Sequence, residues 1–329
     1  MPTGSNQKLK LYYLSRIMLE KTDDSHYLTL PKIQELLSAY DVTADRKTLY
    51  QDIQTLSTLG LDIIGEKHGK YYGYHVGNKH FDIAELKLLV DSVQASKFIT
   101  AKKSASLIKK LSYFASDYEA GQLKRQVMVT GRVKTMNESI YYIVDDIHKA
   151  MTNNKKIRFM YMKWNTEKKL VPRKDKPYEV SPWALTWDDE NYYLIAYSEE
   201  HAQLRHYRVD KMKSIEVLEE KRVGKEEYKN FDVPSYSKQN FGMFGGETTR
   251  IRLRFKESLA GVLIDRFGTD IFIVPSKTDG FFEASVNIAL STQFYGWLFA
   301  LGNDIKLLSP KEAVDGFKEE MDKRTALYK

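Results

Sequence analysis

The chain has 329 residues, 42% of them hydrophobic and 29% charged, a balance that supports packed cores and excludes a disordered chain. It contains no cysteine, which excludes disulfides, thiolate nucleophiles and cysteine-ligated zinc. Lys and Arg exceed Asp and Glu by 51 to 44, and the formal charge of +7 fits a polyanionic partner without locating it. Length alone predicts two or three domains at roughly 100 to 200 residues each.

Leu11, Leu14, Ile17 and Met18 recur at helical spacing and predict an amphipathic helix over 8–21. The polar break 22–25 ends it. Thr29-Leu30-Pro31 then opens a second helix, with Ile33, Leu36 and Leu37 as its buried stripe. Asp45 caps a third helix, in which Leu49, Ile53, Leu56 and Leu59 face the core. At 100° per residue, Lys47, Gln51, Gln54 and, to one side, Tyr50 project away from that stripe. A face of Lys, Gln and Tyr without carboxylates suits phosphates and base edges, because Gln pairs with adenine and Lys with guanine or phosphate. Gly60 ends the helix. Segments Leu61–Gly65 and Tyr71–Val76 form a hairpin whose tip, 66–70, carries Lys67 and Lys70 and reads as a wing.

The pattern Arg46-Lys47-Thr48-Leu49-Tyr50-Gln51-Asp52-Ile53, followed by Leu56 and Gly60, resembles the recognition helix of DeoR-like winged helices. In those proteins Arg-x-Thr-aliphatic and a later Asp-aliphatic are typical, and Arg commonly stands where this chain has Gln51. The resemblance implies a DNA reader over residues 1–80, with candidate contacts at Arg46, Lys47, Thr48, Tyr50, Gln51, Gln54, Lys67 and Lys70. Charge does not single this segment out. Residues 1–80 carry ten basic and nine acidic side chains, whereas 97–134 carry nine basic ones against Asp117 and Glu119.

Residues 82–118 predict two helices, one with Ile83, Leu86, Leu89, Val90 and Val93 on its apolar face, the other with Leu107, Ile108, Leu111 and Phe114. Helices placed between a reader and a sensor often carry dimer contacts. A further helix spans about 138–153. Segment Lys156–Trp164 then alternates Ile157, Phe159 and Tyr161 with Arg158, Met160 and Met162, as a strand does. After a basic loop, short strand-like segments follow from Tyr178 through 218, which predicts a small, strongly bent sheet or barrel.

Tyr192-Tyr193-Leu194 and Tyr207-Arg208-Val209-Asp210-Lys211-Met212 resemble, in order, the two signatures of the WYL domain of bacterial WYL transcriptional regulators. Tyr192 replaces the Trp of the naming tripeptide. The resemblance covers roughly 155–220 and implies a ligand-sensing domain. On strand 204–209, Tyr207 and Val209 share one face and His206 and Arg208 the other. A His beside an Arg suits gripping a phosphate or an oligonucleotide backbone, while Ser181, Trp187 and Tyr193 offer a hydroxyl and stacking surfaces. Arg205 completes this candidate set for an anionic effector, a nucleotide or short nucleic acid. The opposing account pairs His206 and Arg208 internally with acids such as Asp210 or Glu179.

Phe241-Gly242-Met243-Phe244-Gly245-Gly246 reads as a linker or loop. Beyond it the order strand, helix, strand, strand, helix, strand, helix predicts a ferredoxin-like α/β sandwich. It resembles the C-terminal extension found after WYL domains, with Trp297, Gly302 and Pro310 near its end. Arg250, Arg252 and Arg254 alternate along its first strand and read first as a solvated sheet edge guarded by charge, second as an anion site.

The expected fold is therefore α+β and multidomain. It comprises a winged helix-turn-helix at 1–80, a helical linker or dimerisation region at 81–154, a WYL domain at 155–222 and a C-terminal extension at 223–329. No phosphate loop, dinucleotide fingerprint, nucleophile elbow or two-histidine zinc helix occurs, so no catalytic residues, metal or cofactor are expected. His68, His75 and His80 read as surface histidines, and Asp145 and Asp146 as neighbours pointing apart. Residues 1–5 lack a basic-then-apolar signal and no apolar run spans a bilayer, so the expected location is cytoplasmic. The expected function is a homodimeric, effector-controlled regulator bound to double-stranded DNA. Two alternatives stand beside it: a binder of RNA or single-stranded DNA, and a nucleic-acid-processing enzyme whose site carries no known motif.

Overall fold

The computed structural model describes residues 6–123, 134–188, 190–229, 231, 241 and 248–329. The Gly-rich stretch 242–246 and the basic residues Lys124, Arg125 and Arg132 lie outside them. Two compact units are present, Met1–Glu138 and Ser139–Lys329. Among the described residues the chain is mixed α and β, with three antiparallel sheets.

The first unit opens with helices α1 (Lys10–Lys21), α2 (Leu30–Ser38) and α3 (Arg46–Thr58), then the hairpin β1 (Ile63–His68) and β2 (Tyr71–Val76). Leu14, Ile17 and Met18 of α1, Ile33 and Leu37 of α2, and Leu49, Ile53 and Leu56 of α3 converge on one core with Tyr74 and Val76 of β2. Each set recurs three or four residues apart, so each helix buries a single stripe. Asp45 caps α3 by accepting from the Thr48 amide at 2.9 Å, an interaction contributing about 1 kcal/mol. Leu59 departs from expectation. It is 72% exposed, because α3 ends before it and Gly60, at φ +97°, turns the chain away.

Hairpin β1–β2 is tighter than the sequence reading. His68 pairs with Tyr71, so Glu66, Lys67 and His68 belong to the strand and only Gly69-Lys70 makes the turn. Gly69 adopts φ +61°, the conformation that a two-residue hairpin turn asks of its first residue. Leu28 adds a bridge to Tyr74 on the other side of β2.

Three helices follow: α4 (Ile83–Ala95), α5 (Ala101–Leu111) and α6 (Asp117–Leu123). The last is an addition to the two expected. Leu86 and Val90 of α4 pack with Ala115 and Leu123 in a small second core. Leu89 and Phe114, read as inward, are 39% and 47% exposed. The predicted apolar faces are wider than the core available to cover them.

In the second unit, helix α7 (Ile140–Thr152) buries Ile140, Ile143, Ile147 and Ala150 against a bent sheet. Its strands are β3 (Lys155–Trp164), β4 (Leu170–Pro172), β5 (Tyr178–Asp188), β6 (Asn191–Ser198), β7 (Gln203–Arg208) and β8 (Met212–Lys221). They run in the order β4-β3-β5-β6-β7, and β8 pairs with β3. Of the two expected forms the open sheet is the one present; no barrel closes among the described residues. Strand β4 falls where the sequence reads as loop. Bulges in the β3–β8 and β5–β6 ladders accompany the bend. A short helix, α8 (Lys225–Lys229), follows.

The last stretch comprises β9 (Thr248–Lys256), α9 (Ala260–Phe267), β10 (Ile273–Pro275), β11 (Phe281–Ala289), α10 (Thr292–Ala300), β12 (Ile305–Ser309) and α11 (Lys311–Ala326). Its sheet order is β10-β11-β9-β12. Ile251, Leu253 and Phe255 of β9 point into a core with Leu263, Phe294 and Leu298. Strand β9 lies between β11 and β12. Its arginines are therefore not guarding an edge, and that reading is corrected.

Candidate nucleic-acid interface and effector site

On α3 the side chains of Lys47, Gln51 and Gln54 are exposed and take no side-chain partner among the described residues. Tyr50 is 44% exposed and accepts from Arg46 Nη2 at 3.3 Å. The Arg46 guanidinium holds the Tyr50 phenol below its usual value, while burial pushes Tyr74 on β2 up to about 12. Arg46, Tyr50 and Tyr74 thus link the helix to the hairpin through polar contacts. Thr48 is half-buried, and its hydroxyl donates to the Asp45 carbonyl at 3.0 Å, so it shapes the helix start. Asp52 pairs with Lys10 of α1 at 2.7 Å and ties α3 to the core below.

Lys67 and Lys70 are exposed on the hairpin, as expected. The sequence reading missed their neighbours Tyr71 and Tyr72, 68% and 54% exposed. Consecutive tyrosines after a Gly-Lys turn were the available signal. Tyr27 lies flat against this hairpin and stacks on His68 with centroids 3.8 Å apart. Gly73 permits that approach, since a Cβ there would sit 2.2 Å from the Tyr27 ring. His75 is buried, at 8% exposure, which corrects the surface reading for that histidine. No group of three or more His, Cys, Asp or Glu among the described residues is placed to hold a metal ion. Asp145 and Asp146 both reach Lys149, at 2.6 and 3.3 Å, so their side chains converge on one cation.

In the second unit, Arg208 of β7 lies opposite Tyr193 of β6, and Tyr193 opposite Thr186 of β5. His206 lies opposite Ile195. Strand alternation puts Tyr193, His206 and Arg208 on one face, and the Tyr193 and His206 rings meet edge-on at 6.1 Å. Trp187 pairs with Tyr192, one residue out of phase, and so belongs to the opposite face with Arg205, which pairs with Ala196. Ser181 pairs with Tyr197, four strand positions from Tyr193 or about 13 Å along the ladder. Its hydroxyl is fully buried and accepts from the Val223 amide at 2.9 Å. Tyr193, His206 and Arg208 are therefore brought together, and Ser181, Trp187 and Arg205 lie apart from them.

Arg208 is held on three sides. Its Nε and Nη2 donate to the two oxygens of Asp210, each at 3.0 Å, and Nη2 also donates to Asn191 Oδ1 at 2.9 Å. Its amide donates to Tyr161 Oη at 3.1 Å. The internal pairing with Asp210 weighed from sequence is present, whereas Glu179 serves Arg158 at 2.8 Å. Burial disfavours the Arg208 charge, but the Asp210 bonds outweigh it and the group stays firmly cationic. Asp210 also faces Lys211 at 3.5 Å, and 38% of the Arg208 side chain remains exposed. The guanidinium is thus oriented, with part of its surface open to an anion.

His206 is held below the ordinary imidazole value, first by burial and then by the Arg205 charge. The unfolded chain takes up a proton below about pH 6.5 that the folded chain refuses. Stability linked to His206 is therefore full above that pH and declines as pH falls toward the folded value. Thermal melts across pH should show His206→Gln flattening this acid limb; an unchanged limb places the titration elsewhere.

Residues 142–217 match the WYL domain and residues 247–323 the WCX domain. No curated protein matches the chain. Among solved structures, the proteasome accessory factor B/C (PafBC) of Arthrobacter aurescens is similar at 16% identity, with a TM-score of 0.29. That match covers 98% of this chain and 49% of the other, so the chain spans about half its length. A second structure, of a CRISPR Cas-related protein, is 13% identical with a TM-score of 0.37, covering 98% of this chain and 84% of that one.

Proposed function

From a chain that carries a WYL domain followed by a WCX domain, we infer a sequence-specific DNA-binding transcriptional regulator controlled by an anionic effector at the WYL domain. The observation that carries this reading is the exposed, carboxylate-free face of α3 beside a hairpin bearing Lys67 and Lys70. Three helices with a following two-stranded hairpin constitute a winged helix-turn-helix in this reading, and α3 enters the major groove. The sheet order of the C-terminal stretch supports a ferredoxin-like sandwich. The protein acts in the cytoplasm as a homodimer, which matches palindromic half-sites, and it works by binding rather than by catalysis. Among the described residues no helix is long and apolar enough to cross a membrane.

The effector is a nucleotide or short oligonucleotide whose phosphate meets His206 and the open part of Arg208. Since a bound phosphate favours the imidazolium, effector affinity rises as pH falls through the His206 titration. Binding then shifts the population between DNA-competent and incompetent arrangements.

The test is footprinting on genomic fragments, with and without short oligonucleotides and nucleotides, using the wild type and His206→Ala/Arg208→Ala. A palindromic footprint whose midpoint shifts with effector in the wild type only is the expected result. Non-specific binding, or an effector response that survives the double substitution, overturns the respective half of the reading.

A further inference from the structure

We propose that the open face of the C-terminal sheet is a second nucleic-acid site, one that grips the backbone of single-stranded nucleic acid. This goes beyond the regulator reading and does not depend on it. Strand β9 turns Ile251, Leu253 and Phe255 inward, so Arg250, Arg252, Arg254 and Lys256 all face out. Cations two residues apart on a strand repeat at about 6.7 Å, the scale of successive phosphates on an extended nucleic-acid strand.

The neighbouring strands neutralise this row only in part. Opposite Arg254, β12 places Lys306, and opposite Arg252 and Arg250, β11 places Ser285 and Asn287. Like charges directly opposite each other weaken a sheet, yet the Arg254–Lys306 pairing is present here. Glu283 is the carboxylate on this face of β11. It is shared between Arg254, at 3.2 Å, and Arg252, at 3.8 Å, and also accepts from Ser276 Oγ at 2.8 Å. Asp304 offsets Lys256 at 2.6 Å. Arg250, Arg252 and Lys306 remain exposed to solvent.

An apolar patch adjoins the cations. Val274 of β10 lies opposite Glu283 on the same face, and Phe272, two residues before it, is 79% exposed. A basic strand row beside an exposed aromatic ring is the pairing that holds single strands: cations follow the backbone and the ring stacks on a base. Duplex DNA fits less well, because a broad sheet face does not enter a groove as a helix or two-stranded ribbon does.

The experiment uses the full chain carrying Lys47→Ala, Gln51→Ala, Lys67→Ala, Lys70→Ala, His206→Ala and Arg208→Ala, which weakens the other two sites. A labelled single-stranded oligonucleotide of about 12 nucleotides, within the range of common single-strand sites, is titrated by anisotropy at several salt concentrations. DNA and RNA versions form separate arms. Adding Arg250→Gln, Arg252→Gln and Lys306→Gln should weaken binding about tenfold and reduce the salt slope by about 2, near 0.7 for each phosphate that is no longer neutralised. A photo-crosslinking thymidine or uridine analogue in the oligonucleotide should mark peptides containing Phe272 and 250–256 on the background protein, which decides the matter should the added substitutions disturb folding. No binding by the background protein, an unchanged affinity and slope, or crosslinks confined to other segments overturns the proposal.

Discussion

Replacing Lys47 and Gln51 together by alanine is expected to abolish site-specific DNA binding while leaving the melting temperature unchanged. A good base contact is worth about 1 to 3 kcal/mol. Losing two therefore weakens specific binding by about 2 to 6 kcal/mol, roughly thirtyfold or more. Non-specific binding should fall much less, since it rests on the summed neutralisation of many phosphates. The measurement is anisotropy on a footprinted duplex against a scrambled one. Equal losses on both duplexes would make these side chains phosphate ligands, and no loss on either would remove α3 from the interface.

That expectation rests on separating what α3 does for the fold from what it offers outward. Leu49, Ile53 and Leu56 anchor it, Asp52 ties it to Lys10, and Asp45 with Thr48 fixes its start. Alanine at Lys47 or Gln51 touches none of these. Alanine at Thr48 removes the donor to the Asp45 carbonyl, so lost DNA binding there would report on helix geometry. Arg46 is intermediate, because its contact with Tyr50 also steadies the link to Tyr74.

The parts of this fold most legible in the sequence are those where a single period repeats. The stripes of α1, α2 and α3 and the alternation of β9 follow from apolar spacing alone. Partnership is what spacing does not carry. Nothing in the sequence of 250–254 tells an edge strand from an interior one, because that depends on which strands fold back beside it. The same limit applies at the effector strand. Alternation pairs His206 with Arg208 and sets Arg205 on the opposite face, whereas the places of Trp187 and Ser181 depend on how β5 pairs with β6, for Ser181 across a bulge. Helix α6 and strand β4 are too short for periodicity to register. The inward faces assigned to Leu89 and Phe114 fail for a further reason: amphipathicity marks a face able to be covered, and the core beside it is small.

Phe159→Ala is expected to destabilise the second unit strongly. The ring is fully buried on β3 and stacks on Tyr178 at 5.8 Å, while Tyr207 and Tyr161 meet it edge-on at 5.5 and 6.2 Å. Removing a buried phenyl leaves a cavity that rigid aromatic neighbours fill poorly, at a cost of about 3 to 5 kcal/mol. That is a large share of the roughly 5 to 15 kcal/mol that holds a typical domain together. Tyr207→Phe is the matched control. It keeps the ring and loses only a hydroxyl, for about 1 kcal/mol. The damage should also reach the candidate effector site, because Tyr161 in the same cluster accepts from the Arg208 amide at 3.1 Å. Urea denaturation should therefore place the Phe159→Ala midpoint well below that of Tyr207→Phe. The milder Phe159→Leu should bind effector more weakly than the wild type at temperatures where it remains folded. Equal midpoints would show that the cluster repacks around the cavity, and undiminished effector binding by Phe159→Leu would uncouple the aromatic core from Arg208.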